Sequence, residues 1–464
     1  MKKSIRLTAV AALAAAGVMV SAGAANFTGA ADRLHEVGLF QGTGVTASGA
    51  PVYELDRTPT RAEAAVMLVR LLGKEADAKA LTYTAPFADL EGWEAPYVQY
   101  LYDNKLTTGA TATTFEPKAQ CSAQMYTTFL LRSLGYSDAE GGDFKYSDAL
   151  GYAENVVGLI DDTFCDTKSF KRDNVAAMSL EALGTSLKES STHLIDKLIA
   201  DGAIDKTKAK PLTDFISIAD EYNTAAVASS AITRMEQETT SNIKMNASGV
   251  DITAVSTMNT KANINTTELS KSQIEFSGTT TTTIPGSDPV VTPSSGFYTN
   301  GAYYYMTTAE GVKVKVKMDM DLDAFMQQIG DISATDASYL PLCFIDSAEK
   351  NGTSVTVTYD SSVMDSLMQD AMGGVMNNLT GGMELGLDVS GLKISATVKD
   401  GKITGTTIKG DMTMELDGEK VTMSMDVKSV VKASGDSVKL NIPTDLSGYI
   451  PFNEYIKDLL GENK

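Results

Sequence analysis

Two periodicities of apolar residues divide the sequence into a helical first part and a second part rich in strands. In the first part apolar residues recur at helical spacing, as Leu68, Val69 and Leu72 do. In the second part apolar and polar residues alternate, most clearly from Val312 to Asp323, where one face carries Lys and Asp. The pattern predicts a multidomain α+β protein with an all-α N-terminal part, a helical connector and an antiparallel β-sheet.

One helical pattern occurs three times in the first part. The copies run from Pro59 to Gly73, from Cys121 to Gly135 and from Phe170 to Gly184, and each ends in Leu-Gly. In the first copy Thr60 and Glu63 have the spacing of a capping box. Because such units bury their apolar stripes against their neighbours, the recurrence predicts a triplicated helical domain.

The predicted segments follow from these boundaries. The three repeats are predicted at residues 25–80, 81–140 and 141–188, the connector at 189–238, the β domain at 239–447 and a C-terminal tail at 448–464.

Residues at the start of the repeated helix carry a family resemblance. Thr60-Arg61-Ala62-Glu63 matches the T-R-A-E signature of the S-layer homology (SLH) domain, and Phe87-x-Asp89 followed by Trp93 matches its F-x-D…W opening. Residues 27–188 therefore resemble a set of three SLH repeats. The resemblance implies non-covalent attachment to an acidic secondary cell-wall polysaccharide, with binding roles for Arg61, Arg172, Trp93 and Asp89.

An arginine at a helix start suits an acidic sugar, because its guanidinium holds a carboxylate bidentately. Two alternatives remain open for these residues. Arg61 and Arg172 can instead form surface ion pairs with Glu63 and Asp173, and Trp93 can be a core aromatic. In the second copy the arginine is replaced by Ala123, so the second groove has lost this contact or uses other groups.

The first 24 residues have the pattern of a secretory signal peptide. Lys2, Lys3 and Arg6 precede the apolar run Ala9–Val20, and Ala22-Gly23-Ala24 forms a cleavage site. The pattern predicts a secreted protein of the cell wall or cell surface. No later stretch is apolar enough to span a bilayer, so we expect no transmembrane segment in the mature chain.

Charge and cysteine content narrow the function classes. Loss of the three cations of the signal peptide takes the formal charge from −20 to −23, which argues against nucleic acid as a partner. Cys121, Cys165 and Cys343 cannot all pair within one chain. A Cys121–Cys165 bridge and three free thiols are both compatible with the sequence.

The second part is predicted to hold nine to eleven strands, with hairpin turns at Asn351-Gly352 and Asp400-Gly401. Residues 278–296 contain Pro and Gly and are predicted to form a long loop. An amphipathic helix is predicted at 361–379. One face of this helix carries Met364, Met368, Met372 and Met376.

Strand order, hairpins and the inserted helix resemble the LolA/LppX-like half-barrel proteins of bacterial envelopes, over residues 237–447. The resemblance implies a possible lipid or acyl ligand, for which the four methionines are the candidate contacts. The alternative is a filled core between helix and sheet, without a ligand.

No sequence motif for a nucleophile, a metal site or a nucleotide-binding loop is found. We therefore predict a non-enzymatic, cofactor-free surface protein that is held on the wall polysaccharide and displays its β domain. The alternatives are a purely structural envelope protein and a cell-wall hydrolase with a carboxylate pair hidden in the β domain.

Overall fold

The structure is a computed structural model, and it describes residues 26–90, 92–161, 164–247, 249–265, 268, 271–299, 303–308, 310–317, 339–365, 386–416 and 419–460. The predicted signal peptide lies outside the described residues, as do Met368, Met372 and Met376. The fold is mixed, with a helical N-terminal part and a large β-sheet in the C-terminal half.

The chain divides into two compact units. The helical unit comprises the described residues up to Asp220 together with Leu340–Ser347, and the β unit comprises the other described residues from Glu221 onward. The inclusion of Leu340–Ser347 in the helical unit is not indicated by the sequence.

The helical unit contains a small two-stranded sheet and a series of helices. The strands are β1 (Gly44–Val45) and β2 (Pro51–Val52). The helices are α1 (Thr28–Glu36), α2 (Arg61–Leu71), α3 (Glu75–Lys79), α4 (Ala95–Asp103), α5 (Ala123–Ser133), α6 (Ala149–Tyr152), α7 (Arg172–Gly184), α8 (Leu194–Ala200) and α9 (Lys206–Ser230), the last of which belongs to this unit up to Asp220. Helices α2, α5 and α7 lie inside the three copies of the repeated pattern, as predicted.

Helix α7 is buried on every side, from Arg172 to Leu183. Part of its cover is the segment Leu340–Ser347. The backbone N–H of Cys343 donates to Oε1 of Glu181 at 2.8 Å, and the ring of Phe344 stacks on Phe27 with centroids 6.0 Å apart. A segment distant in sequence therefore completes the core around α7.

The β unit is built on one 12-stranded sheet. Its strands in chain order are β3 (Arg234–Ala247), β4 (Val250–Asn263), β5 (Gln273–Thr283), β6 (Val290–Thr299), β7 (Tyr303–Thr307), β8 (Lys313–Lys317), β9 (Ile345–Asn351), β10 (Ser354–Tyr359), β11 (Gly386–Lys399), β12 (Lys402–Leu416), β13 (Glu419–Ser434) and β14 (Ile450–Pro451).

The spatial order of the strands is β14-β8-β7-β6-β5-β4-β3-β13-β12-β11-β10-β9. Two consecutive runs of strands, β3 to β8 and β9 to β13, are thus joined where β3 pairs with β13 in antiparallel register. Strand β14 pairs with β8 in parallel, and helix α10 (Phe452–Leu460) follows it. The predicted C-terminal tail is therefore a strand and a helix.

The turn at Asp400-Gly401 agrees with the prediction. Both residues have positive φ, 52° and 69°, which is what a two-residue turn with the twist of its strands requires. The predicted long loop at 278–296 is wrong, because β5 and β6 pair through it from Gln273↔Thr299 to Thr282↔Val290. Pro293 is tolerated there because only Ser295–Tyr298 of β6 also pair with β7.

Three cysteines, Cys121, Cys165 and Cys343, are free and buried. Burial raises the pKa of the Cys121 and Cys165 thiols to about 12. The Cys121–Cys165 bridge that the sequence left open is therefore not formed. Among the residues that the structure describes, no helix has the length and apolar character needed to cross a membrane.

Candidate functional site

The start of α2 is fixed by a capping box, as its sequence predicts. Oγ1 of Thr60 accepts from the backbone N–H of Glu63 at 3.2 Å, and Oε2 of Glu63 accepts from the N–H of Thr60 at 2.7 Å. The partner of Glu63 is Arg57, whose Nη1 and Nη2 donate to its two carboxylate oxygens at 2.9 and 2.8 Å. The alternative pairing of Arg61 with Glu63 is thus wrong.

Because Arg57 occupies Glu63, the guanidinium of Arg61 turns to the loop before α5. Its Nε donates to the carbonyl oxygen of Phe115 at 2.8 Å, and its Nη1 lies 3.0 Å from Sδ of Met125. Its Cζ lies 5.0 Å from the centre of the Phe115 ring. The side chain is half-buried, and Nη2 has no hydrogen bond to any described residue.

Asp89 organises the loop that Arg61 contacts. Its two carboxylate oxygens accept from the backbone N–H groups of Phe115 and Glu116 at 2.8 and 2.7 Å. Partial burial acts to raise the pKa of Asp89, but these backbone hydrogen bonds outweigh it and the pKa is lowered. Asp89 therefore stays ionised and holds Glu116 in a left-handed conformation with φ 59°.

Trp93 lies four residues after Asp89, just before α4, and 61% of its surface is exposed. The alternative of a core aromatic is therefore wrong. Its neighbour Glu94 is buried instead. An exposed indole offers an apolar, polarizable face to solvent.

Arg172 occupies the matching position in the third copy, but it is only 4% exposed. Its Nε donates to the carbonyl oxygen of Tyr53 at 2.7 Å, and its Nη2 reaches that of Gln41 at 3.4 Å. Burial and the nearby Arg57 lower the pKa of Arg172. The alternative pairing with Asp173 is wrong, because Asp173 accepts from the backbone N–H of Phe27 at 2.8 Å.

The second copy has no arginine at this position, and the equivalent loop carbonyl has a different donor. Ala123, at the matching position, is buried. The carbonyl oxygen of Phe164, which corresponds to those of Tyr53 and Phe115, accepts instead from Nδ2 of Asn174 at 3.0 Å. The sequence showed the missing arginine; it carried no signal for the amide that replaces it.

The apolar-ligand candidates are described only in part. Met364 is 4% exposed and lies in the helical residues 361–365. Asp365 follows it and accepts from the backbone N–H groups of Gly391 and Leu392 at 3.0 and 2.8 Å. These bonds attach the helix start to an irregularity in β11. Met368, Met372 and Met376 lie outside the described residues.

A row of apolar side chains crosses the middle of the sheet. Met412 lies opposite Met423, Met423 opposite Met245, and Met245 opposite Ile252, so the four share one face. Met412 is buried, whereas Met245, Met423 and Ile252 are only half-buried. Three of these four side chains therefore keep part of their surface accessible.

No protein-family model matches the chain. A stretch of 112 residues is 31% identical to the middle cell wall protein of Brevibacillus brevis and, equally, to the surface layer protein of Brevibacillus choshinensis, covering 24% of this chain and 10% of each relative. A stretch of 109 residues is 29% identical to an endoglucanase of a Bacillus species, covering 21% of this chain and 12% of the enzyme. The chain thus spans about a tenth of these relatives.

The chain is also similar to several solved structures, among them the following two. One is a β-barrel-like protein of the domain of unknown function DUF1849 from Brucella abortus, at 10% identity, which covers 44% of this chain and 100% of its own, with a TM-score of 0.15. The other is a DUF1329 family protein from Desulfovibrio piger, at 9% identity, covering 47% and 93%, with a TM-score of 0.16. At these TM-scores neither supports an argument about function. By sequence, this chain shares a segment with proteins of the bacterial surface layer and cell wall.

Proposed function

We propose that this chain is a bacterial cell-surface protein whose helical unit binds an acidic polysaccharide of the cell wall through Arg61. The names of two relatives support the location, since they are a surface layer protein and a middle cell wall protein. The observation that carries the binding role is the state of the Arg61 guanidinium. It is half-buried, fixed by its Nε to Phe115, and has Nη2 left for a ligand.

The surroundings of Arg61 favour a sugar acid as the ligand. An arginine that the protein already orients loses little entropy when it binds a carboxylate, so the interaction is stronger than that of a free surface cation. Asp89 acts through the loop and not on the ligand, as a positioning residue. Trp93, which is exposed and lies four residues after Asp89 in the second repeat, supplies an apolar face for a sugar ring.

Of the two arginines, Arg61 is the ligand contact in this proposal and Arg172 is a structural residue. Arg172 is buried and has an acceptor or sulfur atom near each of its three nitrogens. Replacing it is expected to destabilise the helical unit, since its carbonyl partners would lose a buried donor.

The test is co-sedimentation of the full-length protein with purified cell walls of the host bacterium, with and without the acidic polymer extracted. We expect binding only to polymer-containing walls. Arg61→Ala is expected to weaken binding about tenfold, as loss of a charge-assisted hydrogen bond does, and Arg61→Lys to restore part of it. Lys118→Ala is the matched control, because Lys118 is an exposed cation of the loop that Arg61 contacts. Equal sedimentation of wild type and Arg61→Ala would contradict the assignment.

The half-buried apolar face of the β unit favours a second role, the binding of a lipid-like ligand. Met side chains adapt to varied apolar partners, and uncovered apolar surface of this kind often marks a binding site. The competing interpretation is a purely structural sheet. Hydrolysis is not part of the proposal, because the match to the endoglucanase covers only 12% of that enzyme.

Titration of the full-length protein with a dansylated fatty acid tests the second role. Met423→Lys places a charge in the middle of the apolar face and is expected to weaken binding at least about tenfold. The control is Thr422→Lys, one residue earlier, exposed and on the opposite face of β13. Absence of saturable binding by the wild type would favour the structural interpretation.

A further inference from the structure

A cavity of about 460 Å³ lies at the C-terminal end of α2, within the helical unit. Its walls come from the end of α2, from α3, from the turn after α1 and from the start of α9. The charged residues that line it are Arg70, Glu75, Lys79, Asp205 and Lys208. Its volume lies in the range of small-molecule sites.

Both acidic residues of this cavity are already committed to partners within the protein. Oε1 of Glu75 accepts from Arg70, Lys79 and the hydroxyl of Tyr97 at 3.0, 2.9 and 2.9 Å. Partial burial acts to raise the pKa of Glu75, but these hydrogen bonds outweigh it and lower the pKa to about 2. The carboxylate of Asp205 accepts from the backbone N–H of Lys208 at 2.8 Å.

Two donors of the cavity remain without acceptors among the described residues. Nε of Arg70 is buried and makes no hydrogen bond, and a buried guanidinium N–H without an acceptor is costly. Nζ of Lys208 makes no ion pair with the described residues. It lies over Gly38, where an added Cβ would be 3.0 Å from it. The cavity is therefore lined by three cations and two acids; Glu75 is paired with Arg70 and Lys79, whereas Nζ of Lys208 has no acidic partner among the described residues.

The wall of the cavity is tightly built. Gly73 has φ 65°, and a Cβ there would collide with the carbonyl of Ala203. This close approach fixes the end of α2 against the turn that precedes α9, so the backbone positions that carry Arg70 and Lys208 are held close to each other.

We propose that this cavity is a second ligand site, for a sugar-sized molecule that carries a carboxylate or phosphate group. The anionic group is bound by the guanidinium of Arg70 and by Nζ of Lys208, and Val37, Leu39 and Ile204 pack against the rest of the ligand. The site is separate from Arg61, which starts α2. Arg70 lies nine positions after Arg61, about 13 Å along the helix axis.

The test is calorimetric titration of the full-length protein with glucuronate, with inorganic phosphate and with neutral glucose. We expect saturable binding of glucuronate, phosphate or both, and none of glucose; the tighter anion identifies the recognised group. Lys208→Ala is expected to weaken binding about fivefold and Arg70→Lys about tenfold. Lys206→Ala is the control, since Lys206 is exposed in the same helix turn and does not line the cavity.

Folding of Arg70→Lys is checked by its melting temperature, because Arg70 also pairs with Glu75. Lys208 is exposed, so Lys208→Ala is expected to fold and still tests the site if Arg70→Lys unfolds. Arg61→Ala must bind the anions like wild type, which separates this site from the wall-binding proposal. The inference is overturned if neither anion binds, if Lys208→Ala binds equally well, or if Arg61→Ala abolishes binding.

Discussion

At the scale of single residues, burial decides what an arginine does. Arg61 and Arg172 hold the same position in the repeated pattern, and each donates through Nε to the carbonyl of an aromatic residue eight positions before the start of a repeated helix, Phe115 or Tyr53. Only Arg172 is buried, and its Nη2 donates to an additional acceptor, the carbonyl oxygen of Gln41. The sequence identified both positions but not this difference, because the covering loop comes from another repeat.

Asp173 illustrates a stability effect that burial alone produces. Burial raises its pKa to about 6, despite the hydrogen bond from Phe27, so between about pH 4 and pH 6 the folded state binds more protons than the unfolded state. Its contribution to the free energy of unfolding therefore falls as the pH rises through this window. We expect the stability of Asp173→Asn relative to wild type to increase by on the order of 2 kcal/mol from pH 4 to pH 7.

Urea unfolding of both proteins at pH 4, 5, 6 and 7 measures this difference. Asn still presents an oxygen to the N–H of Phe27, so the variant removes the charge and keeps the acceptor. A stability difference that is independent of pH would show that the carboxyl of Asp173 titrates normally.

At the scale of elements, local chemistry was the most predictable part of the fold. The capping box at Thr60 and Glu63 and the turn at Asp400-Gly401 depend on residues near one another in sequence, and both are confirmed. The loop predicted at 278–296 is wrong because the β-branched run Thr279–Thr283 favours a strand more strongly than the Pro and Gly residues oppose one.

The cap of α2 gives an element-scale prediction. Thr60→Ala removes the acceptor for the N–H of Glu63 and is expected to lower the free energy of unfolding by about 1 kcal/mol. Because the same cap orients the first turn, where Arg61 lies, wall binding is expected to weaken in parallel. Chemical unfolding and co-sedimentation measure the two effects, with Thr108→Ala, at an exposed position outside the helices, as control. Unchanged unfolding of Thr60→Ala would contradict the role of the cap.

At the scale of the whole molecule, the sequence pattern could not predict that Leu340–Ser347 belongs to the helical unit. Phe344 stacks on Phe27 although most of the chain separates the two residues in sequence, and its segment lies between predicted strands. The spacing of apolar residues predicts which side chains are buried. It does not predict which of two cores buries them.

Truncation of Phe344 tests this assignment. Phe344 is 3% exposed, and Phe344→Ala is expected to cost about 3–5 kcal/mol, as large aromatic deletions in cores do. If the segment belongs to the helical core, the loss should appear as faster hydrogen exchange in α1 and α7. Val290→Ala, at a site 62% exposed, should leave exchange unchanged. Loss of protection confined to β9 and β10 would contradict the assignment.

Because Leu340–Ser347 belongs to the core of the helical unit, this core is completed late during synthesis of the chain. The helical unit contains residues up to Asp220 but is complete only once Ser347 has been made. At about 5–20 residues per second, this leaves roughly 6 to 25 s in which Phe27 and the surface of α7 lack their cover. During that interval the nascent chain presents an apolar gap that a chaperone can bind, and premature termination anywhere before residue 340 yields a helical unit that never closes.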